Sequence, residues 1–315
     1  MMENVFFQGA CTALVTPFLG NSVNYPMMLR LLQRQLDAHI PAVVIAGTTG
    51  EAPTLTDREK LELIRRCKEF VGDRCKILAG TGSNSTAHTE DLSMAAEEAG
   101  ADGLLVVSPY YNKPTAEGLF AHYLSVAHGV KIPIILYNVP SRTGTDIPVS
   151  VYRRLSRIPN IVGVKEASSD ISKVSRILAA CGPRFAVWTG NDALTVPAIA
   201  LGASGVISVT ANLFPERVQA MAAAALDGDL DTAAALSLSL TPLNGLLFRE
   251  TNPIPVKAAL ELLGFDCGQC RLPLTGPAGN AGRAESRPAG AVTSFPCFLP
   301  KAFDFLRTIC YTITR

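Results

Sequence analysis

The chain has 315 residues, of which 48% are hydrophobic and 17% charged, so it can bury a large core and is not a disordered polymer. Lys and Arg total 28 against 27 Asp and Glu, a formal net charge of +1. Phosphate-binding surfaces need a clear basic excess, so nucleic-acid and membrane-surface roles are disfavoured, and any anion must be held locally.

At this length the prior is two domains or one α/β barrel with an appendage. Eight cysteines are too sparse for a disulfide scaffold, and the lone C-x-x-C at Cys267–Cys270 has no second pair at zinc spacing, so it is read as incidental. The opening MMENVFFQGACTALVTPF lacks a basic segment followed by an apolar core, so no signal peptide is expected and the expected location is cytoplasmic.

Eight short apolar runs punctuate the chain in order: Thr12–Val15, Ala42–Ala46, Lys76–Gly80, Gly103–Val107, Ile134–Tyr137, Ile161–Lys165, Ala186–Thr189 and Gly205–Val209. Most are continuously apolar rather than alternating, as strands covered on both faces are. Amphipathic segments lie between them. Arg58–Phe70 carries Leu61, Leu63, Ile64 and Cys67 at helical spacing, and Thr89–Ala99 and Ile171–Ala180 read the same way. The uncharged stretch from Ala193 to Pro215 is broken by Pro197, Gly202 and Gly205, and reads as a buried helix and a buried strand rather than a membrane span.

Eight βα units in a row predict a closed (β/α)8 TIM barrel. The doubly wound alternative usually carries a Gly-rich phosphate loop after strand one, where this chain has Thr16-Pro17-Phe18. Beyond the eighth strand, Pro215–Leu226, Leu230–Leu247 and Pro255–Leu263 read as helices with no strand between them. The predicted organisation is a catalytic barrel over residues 1–212, a small C-terminal helical appendage over 213–275, and an atypical tail over 276–315. The tail is rich in Gly, Ala, Pro and Arg in its first half and holds no helical period there.

A barrel places its active site at the C-terminal strand ends. Here those ends are rich in hydroxyls and carry one lysine. Lys165 closes the run Ile161-Val162-Gly163-Val164-Lys165, and period-two alternation puts Ile161, Gly163 and Lys165 on one face. A lysine aimed into the barrel mouth is desolvated towards a nucleophilic amine and forms a Schiff base with a carbonyl. The alternative is an ordinary strand-end lysine reaching solvent. Tyr137 ends the preceding strand, where a phenol shuttles protons or simply fills the core. Arg142, in the next loop, is a carboxylate grip or a solvated arginine. Thr48 and Thr49 sit in a Gly-flanked turn that holds a small carboxylate or is simply a tight turn. The four histidines are scattered without a spaced pair, so no metal is expected.

Taken together, the motifs ALVTPF (Ala13–Phe18), GTTGE (Gly47–Glu51), AGTGSN (Ala79–Asn84), PYYNKP (Pro109–Pro114), YNVPSRTG (Tyr137–Gly144), GVKEAS (Gly163–Ser168), GVISVTAN (Gly205–Asn212) and NPIPVK (Asn252–Lys257) resemble the dihydrodipicolinate synthases, within the N-acetylneuraminate lyase family of class I aldolases. The likeness runs from about Phe6 to Thr275. It implies a lyase that holds pyruvate as a Schiff base on Lys165 and condenses it with L-aspartate 4-semialdehyde, towards diaminopimelate and lysine, with no cofactor and no metal. It implies Tyr137 as proton donor and acceptor, and Thr48 with Tyr111 as a relay, Tyr111 coming from a partner subunit of a homotetramer built as a dimer of dimers. It implies Thr49 and Ile207 against pyruvate, and Arg142 on the semialdehyde carboxylate. The threonine in GTTGE and the arginine in SRTG favour the synthases over the sugar-acid aldolases of the same family, which remain the alternative.

In lysine-inhibited members the feedback pocket uses a histidine after GTTGE and a glutamate after AGTG. Here those positions look like Lys60 and His88, with Asn84 and Tyr110 retained, so weak lysine feedback is expected. Similar proteins end on an amphipathic helix after RLPLT (Arg271–Thr275). The tail 276–315 does not read as one, which predicts either a frameshifted or otherwise replaced C-terminus that disturbs assembly or impairs catalysis, or a genuine extension that packs on a partner.

Overall fold

The computed structural model describes residues 5–278. Eight parallel strands close into a barrel: β1 (Gly9–Ala13), β2 (Ala42–Ile45), β3 (Lys76–Gly80), β4 (Gly103–Val107), β5 (Ile134–Asn138), β6 (Ile161–Glu166), β7 (Ala186–Thr189) and β8 (Gly205–Ser208), with β8 returning to pair with β1. The predicted (β/α)8 barrel is the observed fold. Its seam depends on glycine. Gly205 has φ +149°, and a Cβ there would lie 1.9 Å from the Gly9 carbonyl oxygen. Any side chain would hold the two strands apart.

A helix follows each strand: α1 (Tyr25–Asp37), α2 (Asp57–Val71), α3 (Thr86–Glu98), α4 (Ala116–Gly129), α5 (Val149–Leu155), α6 (Ile171–Cys181), α7 (Thr195–Ala200) and α8 (Pro215–Leu226). Their starts are encoded locally. Thr56 caps α2 in a reciprocal capping box with Glu59, and Ser85 and Thr115 cap α3 and α4. Two further helices, α9 (Leu230–Leu247) and α10 (Ile254–Leu262), follow. The sequence reading grouped Pro215–Leu226 with the appendage. In the structure this helix packs against β1, and Gln219 Oε1 accepts the Ala10 N–H at 2.9 Å, so it occupies the eighth helix position of the ring. The predicted tail lies outside the described residues from 279 onward.

Two apolar layers hold the molecule. The outer one, between strands and helices, includes Val43, Leu63, Ile64, Leu104, Val164 and Val206. The inner one fills the barrel with Cys11, Val44, Leu105, Ile135, Trp188 and Ile207. Phe7, just before β1, stacks on Trp188 at 4.8 Å between ring centres and closes the N-terminal end of the barrel. Gly163 makes room for this floor, because a Cβ there would meet the Trp188 ring at 2.8 Å.

One strand start and one pairing differ most from the expectation. The first strand begins at Gly9 rather than Thr12. In β6 the pairing with β5 skips one residue, from Ile134↔Ile161 to Ile135↔Gly163. This bulge sends Ile161 to the helix-facing layer and Val162 towards the interior, while Gly163 and Lys165 keep the inward face. Ile161 is therefore not on the face it was expected to share with Lys165.

Candidate active site

Lys165 lies at the C-terminal end of β6, and its cross-strand neighbours are Tyr137 on β5 and Trp188 on β7. It is 5% exposed and Tyr137 7%. The lysine Nζ lies 4.5 Å from the centre of the Tyr137 ring. On the β7 side Gly190 leaves the space the lysine stem crosses, since a Cβ there would come within 2.7 Å of Lys165 Cε. The amine lies close enough to two buried groups to act on their charge. Burial pushes the Cys11 thiol well up, while the Lys165 charge pulls it the other way. Burial likewise raises the Asp192 carboxyl, opposed by the Ser208 hydroxyl, the N–H groups of Val209 and Thr210, and Lys165.

Ile207, on β8 opposite Cys11, is fully buried in the inner layer with Tyr137. Thr48 and Thr49 lie in the turn after β2, where Glu51 N–H donates to the Thr48 carbonyl and Ala52 N–H to the Gly47 carbonyl. Thr49 is buried, and its Oγ1 accepts from Asn252 Nδ2 at 2.9 Å. Arg142, on the short helical turn after β5, is exposed and donates from Nη2 to the Asn252 carbonyl at 3.1 Å. Asn252 thus joins two of the expected substrate-binding residues from a segment outside the barrel. Its own Oδ1 is buried and has no protein partner. Tyr111 differs from the rest. Its backbone is left-handed at φ +72°, and its side chain is 89% exposed in the single chain.

Three supporting groups escaped the sequence reading. Glu51, the acid of GTTGE, is buried against Lys257 at 2.8 Å, and Lys257 also donates to the carbonyls of Thr16 and Gln269. That pair ties the threonine turn to α10. Asp192 anchors β8 through Ser208 and Val209. Glu166 and Asn138, which follow Lys165 and Tyr137, bond to each other behind the sheet. Glu51 and Glu166 lie within GTTGE and GVKEAS and Asp192 lies just after β7, but only three-dimensional distance reveals their partners.

The expected feedback positions also meet. Lys60 Nζ and His88 Nε2 both contact Asp57, at 3.2 and 2.8 Å. Burial works against the Asp57 charge, but the hydrogen bonds of His88 and Lys60 hold its carboxyl below the usual range. Cys267 and Cys270 are free thiols that burial pushes up to about 12. Among the described residues no group of three or more His, Cys, Asp or Glu is placed to hold a metal, and no helix is long and apolar enough to cross a membrane.

Residues 6–286 match the model of the dihydrodipicolinate synthetase family. A 4-hydroxy-tetrahydrodipicolinate synthase of Kosmotoga olearia is 49% identical over 272 residues, 85% of this chain and 92% of that one. The crystal structure of dihydrodipicolinate synthase from Aquifex aeolicus superposes with a TM-score of 0.88 at 40% identity, covering 98% of both chains. A chloride-inhibited dihydrodipicolinate synthase from Acinetobacter baumannii, complexed with pyruvate, superposes with a TM-score of 0.85 at 41% identity, over 86% of this chain and 94% of that one. With its eight-stranded barrel, its buried Lys165–Tyr137 pair and these likenesses over most of its length, the chain belongs to the dihydrodipicolinate synthetase family.

Proposed function

We propose that the chain is a lyase that condenses pyruvate with L-aspartate 4-semialdehyde, the 4-hydroxy-tetrahydrodipicolinate synthase reaction of lysine and diaminopimelate biosynthesis. The observation that carries this reading is a single buried amine at the end of a barrel strand, 4.5 Å from a tyrosine ring. The Lys165 amine attacks C2 of pyruvate, water leaves, and an imine forms. Tyr137 moves the protons of that step. Loss of a proton from C3 gives the enamine, which attacks the semialdehyde aldehyde carbon and makes the new C–C bond. The amine of the bound semialdehyde then attacks the imine carbon, closes the ring and expels Lys165.

Thr49 offers its hydroxyl hydrogen to the pyruvate carboxylate, because its oxygen already accepts from Asn252. Ile207 forms the apolar wall beneath the methyl end. Arg142 meets the semialdehyde carboxylate. Thr48 relays protons to Tyr137 with Tyr111, whose exposure in the single chain fits a role across a subunit contact in a homotetramer. The barrel, its ring closed by the helix Pro215–Leu226, carries the reacting groups, the segment after that helix braces them through Asn252 and Lys257, and a cytoplasmic location suits soluble substrates of this kind.

Borohydride reduction with pyruvate, read by intact mass and peptide mapping, tests this. A pyruvate-sized adduct on Lys165, with turnover of aspartate semialdehyde, is the expected result. An adduct with cleavage of keto-deoxy sugar acids instead would move the chain to the sugar-acid aldolases. No adduct on folded protein would remove the Schiff-base chemistry, and a chain ending at Thr275 would show whether the tail is responsible.

A further inference from the structure

Tyr137 and Lys165 face each other only if β5 and β6 hold one register. That register is interrupted lower down by the bulge at Val162, so the pairing above it is not fixed by the strand below. A one-residue slip would turn either side chain out of the barrel. The next register pair, Asn138 and Glu166, lies on the opposite face of the same strands. Both side chains are buried, and Asn138 Nδ2 donates to both carboxylate oxygens of Glu166 at 3.0 Å. Asn138 Oδ1 accepts the Ile147 N–H at 3.0 Å, and Nδ2 also reaches Asp146 at 2.8 Å. Glu166 further accepts from the Ser168 N–H at 2.8 Å and the Tyr152 hydroxyl at 3.4 Å. Lys173, 4% exposed on α6, contacts Asp146 and lies 3.7 Å from Glu166.

Buried charges of this kind are weak sources of stability compared with apolar packing, and their best-attested use is to fix one arrangement against its neighbours. We infer that Asn138 and Glu166 are positioning residues, a clamp behind the sheet that holds Tyr137 opposite Lys165. The inference rests on the proposed Schiff-base reading. Neither residue reaches the barrel interior. They act through the strand that carries the reacting pair, where a displacement of about 1 Å costs up to about a hundredfold in rate.

Two variants test it. Glu166→Gln keeps the shape but turns one acceptor into a donor that opposes Asn138, and Asn138→Ser removes the two-pronged contact. The readouts are kcat and KM, the rate of the borohydride-trapped adduct on Lys165, and the thermal melt. Folded variants should lose about tenfold or more in kcat and in trapping rate, with KM for pyruvate changed less than threefold. Rates within twofold of wild type in folded variants would overturn the inference. So would losses that only track the folded fraction, or failure of both variants to fold, since a purely structural role accounts for either. Absence of an adduct in the wild-type protein is a different result, because it removes the Schiff base itself and the clamp's purpose with it.

Discussion

Lys165 and Tyr137 are direct cross-strand partners, and the lysine Nζ lies 4.5 Å from the centre of the tyrosine ring. The ring and the hydroxyl therefore do separable things. Tyr137→Phe keeps the ring under the amine but removes the hydroxyl proposed to carry protons. The expected result is a folded protein whose kcat falls by about 10²–10⁴ while the pyruvate adduct still forms, more slowly. Steady-state kinetics with timed borohydride quenching measures this, and a wild-type rate would take Tyr137 out of the chemistry.

Asn252 couples Thr49 to Arg142. Asn252→Ala leaves the Thr49 hydroxyl free to turn away from the carboxylate it is proposed to hold. We expect KM for pyruvate to rise and kcat/KM to fall by about tenfold, or about 1.4 kcal/mol. Unchanged kinetics would mean that the threonine turn holds its own geometry.

The Glu51–Lys257 pair is almost fully buried. Removing one partner strands the other charge, so Lys257→Met should cost about 3–5 kcal/mol in denaturant melts. The double change Glu51→Gln with Lys257→Met should recover part of that loss. A single variant as stable as wild type would show that the helical segment is held by apolar packing alone.

His122 on α4 is buried, with Nδ1 on the Thr86 hydroxyl and Nε2 without a protein partner. Burial lowers its pKa to about 4. As pH falls below about 6.5 the unfolded chain takes up a proton that the folded chain refuses until about 4, so stability drops across that window by up to about 3 kcal/mol. His122→Asn should flatten this part of the pH–stability curve. Parallel curves for the two proteins would show that other groups control acid unfolding.

Asp57 is already paired with Lys60 and His88, two basic groups where a diammonium ligand would need acids. Lysine at millimolar concentration should therefore leave turnover unchanged. Strong inhibition below 1 mM would place a feedback site elsewhere on the surface.

Most of the fold was legible because seven of the eight apolar runs begin where the observed barrel strands begin, and at least one helix follows each of them. Lys165 and Tyr137 were legible because each ends such a run. The orientation of Ile161 was not, since a bulge shifts phase without leaving a mark in composition. The start of β1 was missed because Gly9 and Ala10 are strand residues only through pairing with Gly205 and Val206, far along the chain. Asn252, Lys257 and Asp192 escaped for the same reason: a polar residue in a turn or on a helix looks solvated until its distant partner is known.

The stacked Phe7–Trp188 floor has a kinetic meaning. A cup sealed at its base has one doorway, and traffic through a single doorway is sequential. In the proposed reaction the keto acid would enter before the aldehyde, which would take the place between Lys165 and the exit. Water released by the proposed imine would leave past that same place before it is filled. Saturating aldehyde should thus obstruct pyruvate entry, and substrate inhibition by the second reactant becomes a property of the barrel's architecture.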